Sequence, residues 1–218
     1  MTKINIIDLR FVYFPYEIWG LKYYLEALEK SLLFHKQEYE QFIKDKINKD
    51  KENLDDSDID IAFQEIHTMV DIVYPRTFRN SFIIQLWAAF ESTINEIAKH
   101  YYKNSKCKIK ISDIRGNFIE KIDKYFDHIV SIPFKLTRNE RKKLEILYLI
   151  RNALAHGNGV LDNLPDDCIK KLKEWEKELK IFEINTGQLI LKKEYLEDSY
   201  DFINTITSRF IKRIKKEI

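Results

Sequence analysis

Apolar residues along this chain recur at three- and four-residue spacing, the period of an amphipathic helix. Ile18, Leu21, Leu25, Leu28, Leu32 and Leu33 form one such stripe and predict a long helix from about 17 to 47. Asn48 to Asp58 is nearly all polar and charged, and reads as a solvated connection. A second helix is predicted from about Ser57, with Ile59, Phe63, Ile66 and Val70 inward. Ser57 and Asp60 approximate its capping box. Pro75 suits the first turn of a third helix that runs to about Tyr102. Phe82, Leu86, Phe90, Ile94 and Ile97 share a face there, and Phe82 to Phe90 is apolar nearly all round, so this is the expected central helix.

Lys103 to Lys110 reads as a basic loop, followed by a fourth helix over roughly Ser112 to Ile129. Thr137 and Glu140 make a capping box for a fifth helix, whose inner face carries Leu144, Leu147, Tyr148, Arg151 and Leu154 or Ala155. Gly157 is its expected left-handed stop. Asp166 to Glu178 predicts a short amphipathic helix. Lys180 to Ile184 and Gln188 to Lys192 then flank Asn185-Thr186-Gly187 as a small β-hairpin. A last helix, from about Lys193 to Lys216, turns Tyr200, Ile203, Ile206 and Phe210 inward. The predicted class is mainly α, a helical bundle with a small β-hairpin before the last helix. Residues 75–218 read as one helical domain, and 1–74 as an N-terminal extension or part of the same bundle.

Composition narrows the class. The chain has 218 residues, is 44% hydrophobic and 33% charged, and contains 5 Gly and 4 Pro, as a globular protein does. Cys107 and Cys168 are too few for a disulfide scaffold or a four-cysteine zinc site. The longest uncharged run, Asn80 to Phe90, is eleven residues, against about 20 for a membrane helix. Asp8, Arg10 and Glu17 interrupt the N-terminal apolar patch, so it does not read as a signal peptide. A cytoplasmic protein without membrane contact is expected. Net charge is only +2, but residues 1–75 carry −6 and residues 76–143 carry +8. That basic middle suits a polyanion or, equally, solvated helix faces.

The segment Leu149-Ile150-Arg151-Asn152-Ala153-Leu154-Ala155-His156-Gly157-Asn158-Gly159 stands apart. Arg151 shares the apolar face of its helix, where a guanidinium needs an anion or a set of acceptors. Asn152 and His156 are four apart and share a face. Arg can hold a phosphate in bidentate fashion and stabilise its developing charge. A His moves protons near neutral pH. RNA brings its own nucleophile, the 2′-hydroxyl, so neither a metal nor a cofactor is required. Arg-x4-His occurs once, where chance gives about 0.2 matches in a chain with 9 Arg and 5 His. The structural alternative is an interfacial ion pair at Arg151 and a helix C-cap at His156. The pairs His67 with Asp71 and Glu96 with His100 each supply two ligands, too few for a metal site.

This segment resembles the HEPN superfamily, helical bundles with Arg-x(4–6)-His near the end of a late helix and often a polar residue after the Arg. Arg151, Asn152 and His156 fall on those positions. Trp87-Ala88-Ala89-Phe90-Glu91-Ser92-Thr93-Ile94-Asn95-Glu96 looks like the superfamily's earlier core helix, which often holds an acid near the site. Glu91 is that acid here, either orienting Arg151 or bonding a backbone group. The resemblance covers about 75–218. It implies a metal-independent endoribonuclease of a toxin–antitoxin, abortive-infection or other antiviral system. Two copies would pair through the Arg151–His156 helix, with RNA as substrate and an antitoxin or defence-system protein as partner. Some members are instead non-catalytic RNA- or nucleotide-binding or dimerisation modules. Where members regulated by a nucleotidyltransferase carry a Tyr two residues after the His, this chain has Asn158.

Overall fold

The computed structural model describes residues 10–50, 54–104 and 108–217. Lys106, Cys107 and most of the N-terminal apolar patch lie outside them. Helix α1 spans Arg10–Asp50, α2 Asp56–His67, α3 Tyr74–Asn104, α4 Phe118–Asp123, α5 Arg138–Gly157 and α6 Asp166–Leu179. Strands β1 (Phe182–Asn185) and β2 (Gln188–Leu191) then form an antiparallel hairpin, and α7 covers Lys193–Glu217. The mainly helical class, with a hairpin directly before the last helix, is the one the sequence predicts.

Several boundaries differ, each for a local reason. The cap of α2 is Asp55, which exchanges bonds with Asp58, two residues before the expected Ser57 and Asp60. No break precedes α3. A π-helical turn, Thr68–Val73, joins it to α2, and the Tyr74 N–H reaches back five residues to the Met69 carbonyl. Pro75 has no N–H to give and crowds the turn before it, so a widened turn lets the helix continue. The expected fourth helix is shorter and starts later. Gly116 sits at φ +128, where a Cβ would meet the Glu120 side chain, and Asn117 caps α4 by accepting from the Glu120 N–H at 3.0 Å. A π-helical turn, Lys124–Ile129, completes it. The hairpin turn has two residues, Thr186 and Gly187, both at positive φ (47° and 74°), while Asn185 already pairs with Gln188. Phe63 and Leu33, expected inside, are exposed.

The chain divides into two compact units, and the helical run from Asp56 to Asn104 passes unbroken across residues 74 and 75. The first unit comprises 1–21, 85–151 and 198–218. Its core is an aromatic chain: Trp87 meets Phe90, Phe90 meets Phe134, and Phe210 stacks edge-on with both Phe134 and Phe126 at 4.7 and 4.9 Å. Its α5 begins with the predicted capping box: the Thr137 N–H donates to Glu140 Oε2 at 2.8 Å, and the Glu140 N–H to Thr137 Oγ1 at 3.2 Å. Arg209 of α7 then grips the same carboxylate through two N–H donors at 2.8 and 3.0 Å, and Arg213 donates to the Pro133 carbonyl.

The second unit comprises 22–84 and 152–197. Leu25, Leu28 and Leu32 of α1, Phe82 and Ile83 of α3, and Phe182, Leu189 and Leu191 of the hairpin are buried in it. Arg79 ties these three elements together. It donates twice to Glu29 on α1, at 2.8 and 3.0 Å, and once to the Leu191 carbonyl of β2 at 3.0 Å. Farther along, Ile43, Ile66 and Val70 make a small separate core between α1 and the α2 arm.

Candidate nucleic-acid site at the end of helix α5

The sequence-selected residues Arg151, Asn152 and His156 all stand on α5, in its last two turns. Arg151 and Asn152 are half-buried, and Arg151 Nε is shielded from solvent. His156 is exposed in the final turn. The difference follows from helix geometry: five residues at about 100° each set Arg151 and His156 about 140° apart around the axis. Asn152, four residues before His156, lies only about 40° from it. Ala153 and Leu154 are the buried residues of this turn and Ala155 is exposed, which settles the expected alternative in favour of Leu154.

The stop after His156 is not the one expected. Gly157 keeps helical geometry. Asn158 takes the left-handed conformation at φ 50, followed by Gly159 at φ 71. The Gly159 N–H bonds the Ala153 carbonyl six residues back at 3.1 Å, one residue farther than a Schellman cap reaches, so two successive left-handed residues close this helix end. Gly157 is needed for space, since a Cβ there would lie 2.7 Å from Leu164 Cδ2. Past the cap, the chain is pinned to the hairpin. Leu189 N–H donates to the Gly159 carbonyl at 2.8 Å, and Leu161 N–H to the Gly187 carbonyl at 2.9 Å. Arg76 holds the Gln188 side chain alongside. The hairpin thus serves the motif by fixing the loop that leaves His156.

Glu91 lies on α3, half-buried, its Oε2 accepting from the Trp87 indole N–H at 3.0 Å. Trp87 in turn packs against Tyr148 of α5, ring centroids 5.3 Å apart. Glu91 is one turn from that contact on α3, and Arg151 one turn from it on α5. Of the basic residues around the loop and the start of α5, Lys103, Arg138 and Lys142 are exposed. Arg141 is bound to Asp123 at 2.6 Å, Lys110 sits over the Tyr102 ring, and Lys143 sits over the Phe202 ring. Counted by sequence, the first unit's segments hold 21 basic and 13 acidic residues and the second unit's 16 and 22, so the units carry +8 and −6. Arg151 belongs to the basic one, and Asn152 and His156 to the acidic one.

His67 pairs with Asp71 at 2.9 Å, and Lys36 shares that carboxylate at 3.0 Å. Burial raises the Asp71 pKa, but hydrogen bonds from Lys36 and His67 outweigh it and leave it below its ordinary value. Among the described residues no three His, Cys, Asp or Glu side chains converge as a metal site requires. No described helix is long and apolar enough to cross a membrane.

No family model, curated protein or solved structure matches this chain. Sequence reasoning missed Arg76, Arg79, Gln188 and Asn80, the last buried beside Gly159. No motif marks them, because each acts on partners distant along the chain.

Proposed function

We propose that the chain is a metal-independent endoribonuclease of HEPN type, cutting RNA by transesterification. The observation that supports this reading is the α5 terminus, where a half-buried Arg151 and Asn152 and an exposed His156 stand within two turns of helix, ahead of a rigidly held loop. In this reading Arg151 neutralises the charge that builds on the phosphorane. His156 takes the proton from the 2′-hydroxyl or gives one to the departing 5′-oxygen, and Asn152 positions the phosphate or His156. Glu91 orients Arg151. The products are a 2′,3′-cyclic phosphate and a 5′-hydroxyl. One His cannot serve both proton transfers at once, and Arg151 and His156 diverge by about 140° on one helix. Two copies pairing through α5 supply both histidines and set the Arg151 of one against the His156 of the other. The basic stretch 76–143, with a balance of +8, supports a polyanionic substrate.

The test is cleavage of total and transfer RNA by the purified chain in EDTA, beside Arg151→Ala and His156→Ala. Wild type should leave cyclic-phosphate ends, and each variant should fall at least about a hundredfold, the usual scale for losing an acid–base group or charge stabiliser. Cleavage that needs added metal, cleavage untouched by His156→Ala, or RNA binding without cleavage would each defeat the proposal.

A further inference from the structure

A cleft of about 420 Å³ opens within the second unit, among α1, the π-helical turn with the start of α3, and the hairpin. That size suits a small molecule. Leu32, Pro75 and Leu191, all buried, and half-buried Ile190 give it apolar walls. Leu33 lines it as well and is 58% exposed, an apolar side chain that no described element covers.

Three ion pairs line the same cleft. Arg79 and Glu29 are closed on each other by two hydrogen bonds and are mostly buried, so that pair is fixed. Lys192 meets Glu183 at 3.2 Å and Lys36 meets Asp71 at 3.0 Å, on side chains far more open to water. Exposed pairs of this kind contribute little and are easily exchanged for another partner. The Lys36–Asp71 pair opens at least cost. Lys36 donates to Asp71 Oδ1, while His67 Nδ1 lies 2.9 Å from Oδ2. The carboxylate therefore keeps one partner when Lys36 turns away. Apolar residues flank both halves of the pair: Leu33 one turn before Lys36 on α1, and Pro75 four residues after Asp71. Asp71 itself is carried by the π-helical turn, a distortion common at functional sites.

Charge selects the ligand. The lining of the cleft is neutral, Lys36, Arg79 and Lys192 balancing Glu29, Asp71 and Glu183. An anion would leave a carboxylate without its cation and would meet a unit whose segments carry −6. A cation would leave a lysine without its carboxylate. A zwitterion opens one pair and satisfies both halves. An α-amino acid holds its ammonium and carboxylate on a single carbon, close enough together to stand between Lys36 and Asp71.

We propose that this cleft binds a free α-amino acid with an apolar side chain. Its carboxylate meets Lys36, its ammonium meets Asp71 Oδ1, and its side chain covers Leu33 and Pro75. The site does not rest on the ribonuclease reading. Calorimetric titration of the full chain with L-leucine and L-phenylalanine tests it. At least one should bind saturably at millimolar concentration or below. Its N-acetyl derivative lacks the ammonium and its amide lacks the carboxylate, so each should bind at least about tenfold more weakly. Lys36→Met should lose a similar factor while keeping its helical circular dichroism, because the ion pair it breaks is exposed. No saturable binding of either amino acid, a derivative that binds as tightly as its parent, or wild-type affinity in Lys36→Met would overturn the proposal.

Discussion

Replacing Glu140 by Gln tests how α5 is anchored. The Glu140 carboxylate closes the capping box and receives both prongs of Arg209. Hydrogen bonds from Arg209 first, opposed by burial and then aided by Thr137, pull its pKa from 4.5 to about 2. At about 1.4 kcal/mol per pH unit, that difference corresponds to about 3 kcal/mol. The Arg209 side chain is 37% exposed, so solvent screening reduces the expected contribution to about 2 kcal/mol. A carboxylate with a depressed pKa stabilises fully above its unfolded value, near 4.5, and loses that stabilisation as pH falls toward 2. Urea unfolding of wild type and Glu140→Gln should therefore differ by about 2 kcal/mol at pH 7 and by roughly a quarter of that at pH 2.5. Taking the difference between the two proteins cancels the titration of every other carboxylate. Added salt should also shrink the pH 7 difference. A difference that is the same at pH 7 and pH 2.5 would refute the reasoning. So would one that survives in an Arg209→Met background, because both results would mean that the Arg209 bonds do not hold the charge.

Arg79→Met should destabilise the second unit by about 2–3 kcal/mol, because it leaves Glu29 half-buried without its cation and frees the Leu191 carbonyl. Adding Glu29→Gln should recover part of that loss, and urea titration reads both. Gly159→Ala should cost about 1–2 kcal/mol, since an L side chain at φ 71 is strained and its Cβ would press on Leu154 at 3.3 Å. In the RNA assay the same variant should lower cleavage while leaving His156 in place, and unchanged melting and unchanged cleavage together would contradict the role given to this loop.

Much of the fold was legible because helix formation is local. The stripe from Ile18 to Leu32, the apolar run from Phe82 to Phe90 and the Thr137–Glu140 box each specify an element through neighbours three or four residues away. The candidate site was legible for the same reason, since Arg151, Asn152 and His156 sit on one helix. The sequence also determined that residues 76–143 are basic and residues 1–75 acidic. Tertiary structure alone decided which of several plausible positions were used. Leu33 and Phe63 fit their helical stripes by spacing, yet they are exposed, because among the described residues no element packs over them. Pro75 reads locally as a helix start, but the buried Val70 and Phe82 on either side keep the run continuous through a π turn. The hairpin's clamp on the loop after His156 joins residues 26 and 30 apart, and Arg209 reaches Glu140 across 69. Such pairings carry no periodic signal. They depend on where packing brings the backbone, and only the folded chain determines that.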